Sequence, residues 1–271
     1  MPADGTPVRV ASPANRRIRV YKSLATNKGR REHGRFQLEG ASLIAEAVRC
    51  GVPLEAVYWC LERTRDERDR ALIRTLAETA PVFEVTERVL EQMSSTVTPQ
   101  PMAAEARIPD RRLDDIALPE RCLIAAPVGT QDPGNLGTVI RTAHAVGAIA
   151  VVPVGNCVDT YSPKVVRATM GSLFSLPVTR RTSPGEFLAW CEGNEVSVVA
   201  ATVHTERSLF GACLAPRTAM LFGNETQGVP EALMVPGTTR VAIPMPGGAE
   251  SLNVAVAAGI MMYEYRRQYP L

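Results

Sequence analysis

The sequence predicts an α/β protein of two domains, the second built on a parallel sheet. Three observations carry that prediction. The chain has 271 residues and is 45% hydrophobic, enough for two cores of ordinary size. In its second half, short apolar runs alternate with amphipathic stretches, the pattern of strands joined by helical crossovers. Asp110 to Pro119 is a polar connector between that half and an earlier α/β segment. The expected organisation is a flexible Pro/Ala/Gly-rich tail over 1–14, a domain over 15–108, a linker over 109–119 and a second domain over 120–271.

Taken in order, Leu38, Leu43, Ile44, Ala47 and Val48 recur at helical spacing before Gly51, and Leu54 to Trp59 reads as a strand. Glu62 to Arg70 alternates acids and bases, as a solvated helix face does. Val82 to Val85 is a short strand. In the second half the expected strands are Leu123 to Ala126, Ile149 to Val154, Val196 to Thr202, Ala219 to Phe222 and Val241 to Ile243. The expected helices are Leu136 to Val146, Pro184 to Cys191, Pro230 to Met234 and Leu252 to Arg267. A parallel sheet of this kind holds its ligands beyond the carboxyl ends of its strands.

Composition excludes several classes. The longest apolar run, Val254 to Met262, is too short for a bilayer span, and the first twenty residues lack the apolar stretch of a signal peptide, so a cytoplasmic protein is expected. Six cysteines are irregularly spaced with no Cys-x-x-Cys pair, and His33, His144 and His204 are scattered, so neither a metal site nor a catalytic triad is expected. No Gly-x-Gly-x-x-Gly follows the first strand of the second half, and Gly223 to Gly228 lacks the Lys-Ser/Thr pair of a phosphate loop, which disfavours dinucleotides and triphosphates. A net charge of +2 does not announce a nucleic-acid partner, but nine basic residues against the single acid Glu32 lie between Arg9 and Arg35. That segment, with Tyr21 and Phe36 beside it, suits a phosphate backbone with unpaired bases.

Three islands carry the chemistry: Asp132-Pro133-Gly134-Asn135-Leu136-Gly137-Thr138-Val139-Ile140-Arg141, then Leu221-Phe222-Gly223-Asn224-Glu225, then Ile243-Pro244-Met245 running on to Ser251-Leu252-Asn253-Val254. Asn135 stands where a helix N-cap would, before a buried face of Leu136, Val139, Ile140 and Ala143. Arg141 lies off that face with Gly137 and His144. Ser251 is the expected cap of the last helix, with Asn253 in its first turn. That helix is apolar on nearly every side and demands burial against more than one neighbour.

In this order and at these separations the islands resemble the signature motifs of the SPOUT superfamily, in its SpoU/TrmH branch of RNA 2′-O-ribose methyltransferases. The resemblance implies a deep trefoil knot in the second domain, S-adenosyl-L-methionine as methyl donor and a homodimer. It implies a catalytic group of Asn135, Arg141, Glu225, Ser251 and Asn253, and cofactor contacts from Thr202, Gly223, Ile243, Met245, Ser251 and Leu252. Lys164 to Ser172 with Leu176-Pro177 resembles a secondary pattern of the same family, implying that Arg167 contacts a substrate phosphate. Tyr21 to Leu24, Gly29 to Arg31, Phe36 to Gly40 and Thr98 to Gln100 resemble the L30e-like RNA-binding domain of ribosomal-RNA members, with Lys22, Arg30, Arg31 and Arg35 as candidate RNA contacts. The implied substrate is ribosomal RNA, most of all 23S rRNA, and Ser172 to Pro177 is similar to some antibiotic-resistance members. A transfer-RNA enzyme and a non-catalytic assembly factor are the alternatives. The long first domain weighs against the former, and the intact polar residues of the islands against the latter.

Overall fold

The computed structural model describes residues 8–64, 66–94, 98–224 and 227–270. They divide into two compact units. One comprises the described residues up to Pro109 together with Tyr161–Phe174, and the other Asp110–Thr160 and the chain from Ser175 onward.

The first unit runs β1 (Val8–Val10), α1 (Arg16–Ser23), α2 (Asn27–His33), β2 (Arg35–Glu39), α3 (Ala41–Arg49), β3 (Leu54–Trp59), α4 (Glu67–Thr79), β4 (Val82–Val85), α5 (Glu87–Met93) and β5 (Met102–Arg107). Its sheet has the order β1-β4-β3-β5-β2, with β5 antiparallel to both neighbours and the other pairings parallel. The tail expected over 1–14 therefore contains a strand: Val8-Arg9-Val10 alternates out and in, and Val10 is buried in the core with Ile18, Tyr58 and Val85. Thr26 caps α2 by accepting from Gly29 N, and Gly34, at φ 63°, closes it in the left-handed conformation a glycine adopts readily.

The segment Tyr161–Phe174, expected in the second domain, groups with the first unit instead. Its helix α7 (Pro163–Ala168) lies on β2, and the Tyr161 ring sits 5.0 Å from that of Phe36. Neighbours in space decide this grouping, and the sequence order conceals it. α7 spans Pro163–Ala168 and is followed by the single turn α8 (Ser172–Ser175).

The second unit holds β6 (Cys122–Pro127), α6 (Pro133–Ala145), β7 (Ala150–Val151), α9 (Pro184–Gly193), β8 (Ser197–Ala201), β9 (Arg217–Phe222), β10 (Thr239–Val241) and α10 (Val254–Gln268). Its five strands are all parallel, in the order β10-β8-β9-β6-β7. The expected strands occur, each shifted by a residue or two. The run Ile149 to Val154 keeps only Ala150–Val151 as strand and continues through isolated bridges. The expected helix Pro230 to Met234 is one 3-10 turn, Glu231–Leu233. Leu136, Val139, Ile140 and Ala143 are completely buried along α6. α10 packs on α6, β6 and β9. The contact is close because Gly259 faces Thr142, whose methyl would lie 3.6 Å from any added Cβ.

All six cysteines are free thiols. Burial pushes the thiols of Cys60, Cys122 and Cys157 up and that of Cys191 to about 12, so these sulfurs pack as small apolar groups. Among the described residues no helix is long and apolar enough to cross a membrane, and no group of His, Cys, Asp and Glu could hold a metal ion.

Candidate active site

Because every strand of the second unit runs the same way, the three islands emerge at one edge of the sheet, after β6, β9 and β10. The first island begins with Asp132, whose Oδ1 accepts from Asn135 N at 2.8 Å, followed by Pro133 in the first turn of α6. The helix thus starts three residues before the expected Leu136, and the cap is Asp132 where Asn135 was expected. An Asp-Pro pair is the stronger start, with a ready acceptor followed by a residue that has no N–H to satisfy. Asn135 is thereby released from capping. Its Oδ1 accepts from Asn253 Nδ2 at 3.0 Å, joining the first and third islands across 118 residues of chain.

The third island is corrected in the same way. Asn253, expected in the first turn, is the N-cap of α10, its Oδ1 accepting from Ala255 N at 2.9 Å and Val256 N at 3.3 Å. Ser251, expected as the cap, is exposed in the loop two residues earlier. The Asn253 amide therefore has two roles: its oxygen fixes the helix start and its nitrogen ties that start to Asn135.

In the second island, Gly223 follows β9 directly. A Cβ there would lie 2.0 Å from the carbonyl carbon of Gly228 and 2.3 Å from Val229 N. Gly223, a cofactor contact by the resemblance, thus also admits the close approach of the chain's own backbone. Asn224 folds the loop: its Oδ1 accepts from Gln227 N at 2.7 Å and its carbonyl from Gly228 N at 3.0 Å. Glu225, the remaining acidic candidate, lies outside the described residues.

Between these loops lies a cavity of about 600 Å³. Thr202, Gly223, Ile243, Met245, Ser251 and Leu252 all line it, and so do Phe222, Val254 and Ala257. Thr202 is held at the end of β8 by its N–H on Val241 O, while its hydroxyl accepts from His204 N. Arg240, Glu231, Glu250 and His204 add charge to the lining. Arg240 pairs with Glu231 at 3.8 Å, both well exposed. Sequence reasoning missed these groups because loop residues without periodicity give no sign of which cavity they face.

Arg141 is exposed on α6, one residue beyond the buried Ile140. Asn135 and Asn253 are brought together, and the six cofactor candidates share the cavity. Among the described residues, no hydrogen bond or ion pair ties Arg141 to either group.

The candidate RNA contacts divide. Lys22 and Arg31 are exposed on α1 and α2. Arg35 is half-buried and paired with Glu105 at 2.9 Å and Glu55 at 3.1 Å. Arg30 is a correction: it is 3% exposed, and its guanidinium donates to Leu24 O at 2.7 Å and Ala25 O at 3.0 Å, so it stitches the α1–α2 turn and has no face toward RNA. Arg167 sits half-buried at the end of α7 within the first unit. In the stretch similar to resistance members, Leu173, Phe174 and Leu176 are buried, a packing role.

Comparison with known proteins accords with this geometry. Residues 123–263 match the SpoU rRNA Methylase family, and residues 15–104 the MRM3-like substrate binding domain. The 23S rRNA (uridine(2479)-2′-O)-methyltransferase of Streptomyces viridochromogenes is 34% identical over 94% of this chain and 90% of its own. The 23S rRNA (guanosine(2553)-2′-O)-methyltransferase RlmP of Bacillus subtilis is 32% identical over 95% and 99%. An AdoMet-bound rRNA methyltransferase from Sinorhizobium meliloti superposes with a TM-score of 0.88 at 30% identity, covering 97% of this chain and 98% of that one. A parallel sheet with three converging loops, carried on a sequence that matches such relatives from end to end, leaves one assignment: the chain belongs to the SpoU rRNA methylase family.

Proposed function

We propose that this protein transfers a methyl group from S-adenosyl-L-methionine to a ribose 2′-hydroxyl of ribosomal RNA, and of 23S rRNA in particular. The observation that carries the reading is the cavity at the carboxyl edge of the parallel sheet, with the Asn135–Asn253 bond joining the islands that flank it. Its residues fit the donor. Ile243, Met245 and Leu252 offer an apolar slot for an adenine ring, and the loop backbones supply amide and carbonyl partners. Bound there, the donor supplies an electrophilic methyl on a sulfonium that departs as a neutral thioether.

The chain's own task is to ready the sugar oxygen. A hydroxyl attacks poorly until its proton leaves or its developing charge is stabilised, and a guanidinium, with donors and no acceptor, is unsuited to removing protons. Arg141 accordingly stabilises the emerging alkoxide and orients the neighbouring phosphate, while the proton passes to phosphate or water. Asn135 and Asn253 position the loops around the same point, with Ser251 and Glu225 completing the group. Within the first unit, Arg167, Lys22 and Arg31 are the proposed contacts to RNA phosphates.

Two architectural readings accompany this one. The chain leaves the edge strand β10 and returns across the sheet to lay α10 on α6, which supports a trefoil knot in the loops it passes. The 15–104 domain reads as L30e-like. A homodimer is supported by α10, where Val256 (53% exposed) and Tyr263 (55% exposed) lie two turns apart on the uncovered face with Ile260 between them.

The test is methylation of purified ribosomal subunits with labelled donor, followed by mapping of the alkali-resistant linkage. Label in 23S rRNA at a ribose is the expected result; label on a base, or only in transfer RNA, overturns it. Repeating the mapping in cells challenged with ribosome-targeting antibiotics separates a resistance determinant from a housekeeping modifier.

A further inference from the structure

The cavity at the parallel edge has a lining of two kinds. Ile243, Met245 and Leu252 are apolar, whereas Arg240, Glu231 and the Met234 carbonyl form a polar cluster. The strand β10 sets the arginine there. Its side chains alternate, Val241 wholly buried and Arg240 turned outward one residue before the strand ends. Glu231 opens the 3-10 turn Glu231–Leu233 that follows the second island.

These contacts steer the Arg240 guanidinium without using it up. Its Nη2 donates to Met234 O at 3.1 Å and stands 3.8 Å from a Glu231 carboxylate oxygen, beyond hydrogen-bond distance. A guanidinium has five N–H donors, so most of the fork is left for a ligand. Nor does the fold depend on the pair: with side chains 44% and 87% exposed, such an ion pair contributes little to stability. Arg240 is also the one arginine or lysine among the described residues that line the cavity.

The donor proposed for this cavity has a matching end. Its adenine suits the apolar wall, but one carbon of its methionine portion carries a carboxylate and an ammonium together, a compact pair of opposite charges. We infer that Arg240 and Glu231 form the subsite for that amino-acid end, the guanidinium taking the carboxylate and the Glu231 carboxylate taking the ammonium. Laid head to tail, the two charge pairs meet without Arg240 and Glu231 having to separate, and each new contact is a charge-assisted hydrogen bond, the stronger kind. Adenosine derivatives without the amino acid gain nothing from the subsite and are thereby discriminated against. The inference rests on S-adenosyl-L-methionine as the donor, and it concerns recognition of a part of that molecule remote from the methyl that is transferred.

Equilibrium binding to the full-length protein, read by calorimetry, tests it with ligands that need no catalysis. S-adenosyl-L-homocysteine keeps the amino-acid end, decarboxylated S-adenosylmethionine lacks the carboxylate, and 5′-methylthioadenosine lacks both charges. Arg240→Gln weakens S-adenosyl-L-homocysteine about tenfold and leaves the other two within about twofold. Glu231→Gln weakens the two ligands that carry the ammonium about fivefold and leaves 5′-methylthioadenosine within about twofold. Thermal melts of the unliganded variants coincide with wild type. Glu250→Gln, which removes the other acid of the described lining, changes S-adenosyl-L-homocysteine affinity by less than about twofold. Equal losses for all three ligands in Arg240→Gln mean a disturbed cavity and overturn the subsite. A loss in Glu250→Gln in place of Glu231→Gln overturns the partner assigned to the ammonium. A wild type that binds none of the three ligands sinks the donor reading and this inference with it, whereas S-adenosyl-L-homocysteine bound as tightly after Arg240→Gln as before sinks this inference alone.

Discussion

The two five-stranded sheets treat their polar residues in opposite ways. In the second unit all strands are parallel, so successive loops emerge at one edge and their polar side chains meet there: Asn135 finds Asn253, and Thr202 shares a cavity with Ser251. In the first unit the sheet is mixed, and much of the polarity that sequence reasoning reserved for RNA is folded inward. Arg30 holds two carbonyls of a turn, Arg35 serves Glu105 and Glu55, and Gln37 donates to Tyr21 O. The lesson is that a basic stretch is not a basic surface until the partners of each guanidinium are known.

The largest expected effect comes from the loop that closes the parallel edge. Gly223→Ala drives a methyl into the Gly228 carbonyl, costing about 3 kcal/mol or more and lowering Tm by roughly 6–12 °C. Calorimetry with and without S-adenosyl-L-methionine checks it, since donor binding is expected to fall together with stability. Next, Arg141→Lys keeps the charge and loses the planar fork, so methyl transfer falls about 100-fold while Tm is unchanged. Full activity in that variant sinks the role given to this side chain.

The contrast within the first unit is sharpened by two neighbouring arginines. Arg30→Ala leaves two carbonyls unpaired and destabilises by about 2 kcal/mol, whereas Arg31→Ala stays within about 0.5 kcal/mol of wild type and weakens RNA binding. Denaturant melts and RNA titrations on both variants read the difference, and reversed outcomes would show that the burial assignment is mistaken.

The double role of Asn253 can be separated. Asn253→Asp keeps the cap acceptor but cannot donate to Asn135, so activity drops about tenfold at near-normal stability, while Asn253→Ala also loses about 1 kcal/mol of capping. The smallest effect lies at the end of α10. There the hydrogen bond from Arg267 holds the Glu264 carboxyl below its usual range. A carboxyl lowered on folding stabilises above its unfolded pKa and loses that contribution as pH falls through the folded value. Glu264→Gln therefore costs at most about 1 kcal/mol at neutral pH, with Arg267 largely exposed, and the difference from wild type closes in acid. A difference independent of pH would point to packing alone.

Much of the second unit was legible in advance because its signals are local. Apolar runs marked the strands, and the α6 face of Leu136, Val139, Ile140 and Ala143 followed from helical spacing and is buried throughout. Both helix caps were misplaced for the same reason. Asn135 and Asn253 stand among several residues able to cap, and only the backbone path decides whether Asp132 precedes the one or Ser251 serves the other. In the first unit, the strand Val8–Val10 leaves no signal in the sequence, because three residues with one buried side chain give too short an alternation.

By itself the chain determined its α/β class, the approximate strands and helices, and the three islands, all of which depend on side-chain type at short spacing. Only the tertiary structure decided that Asn253 reaches Asn135, that Gly223 is crowded by Gly228, that Tyr161–Phe174 packs with the first unit, and that Arg30 is buried while Arg240 meets Glu231 beside a cavity. Those are matters of which distant groups share a few ångströms, and strand order, which no local pattern encodes, sets them.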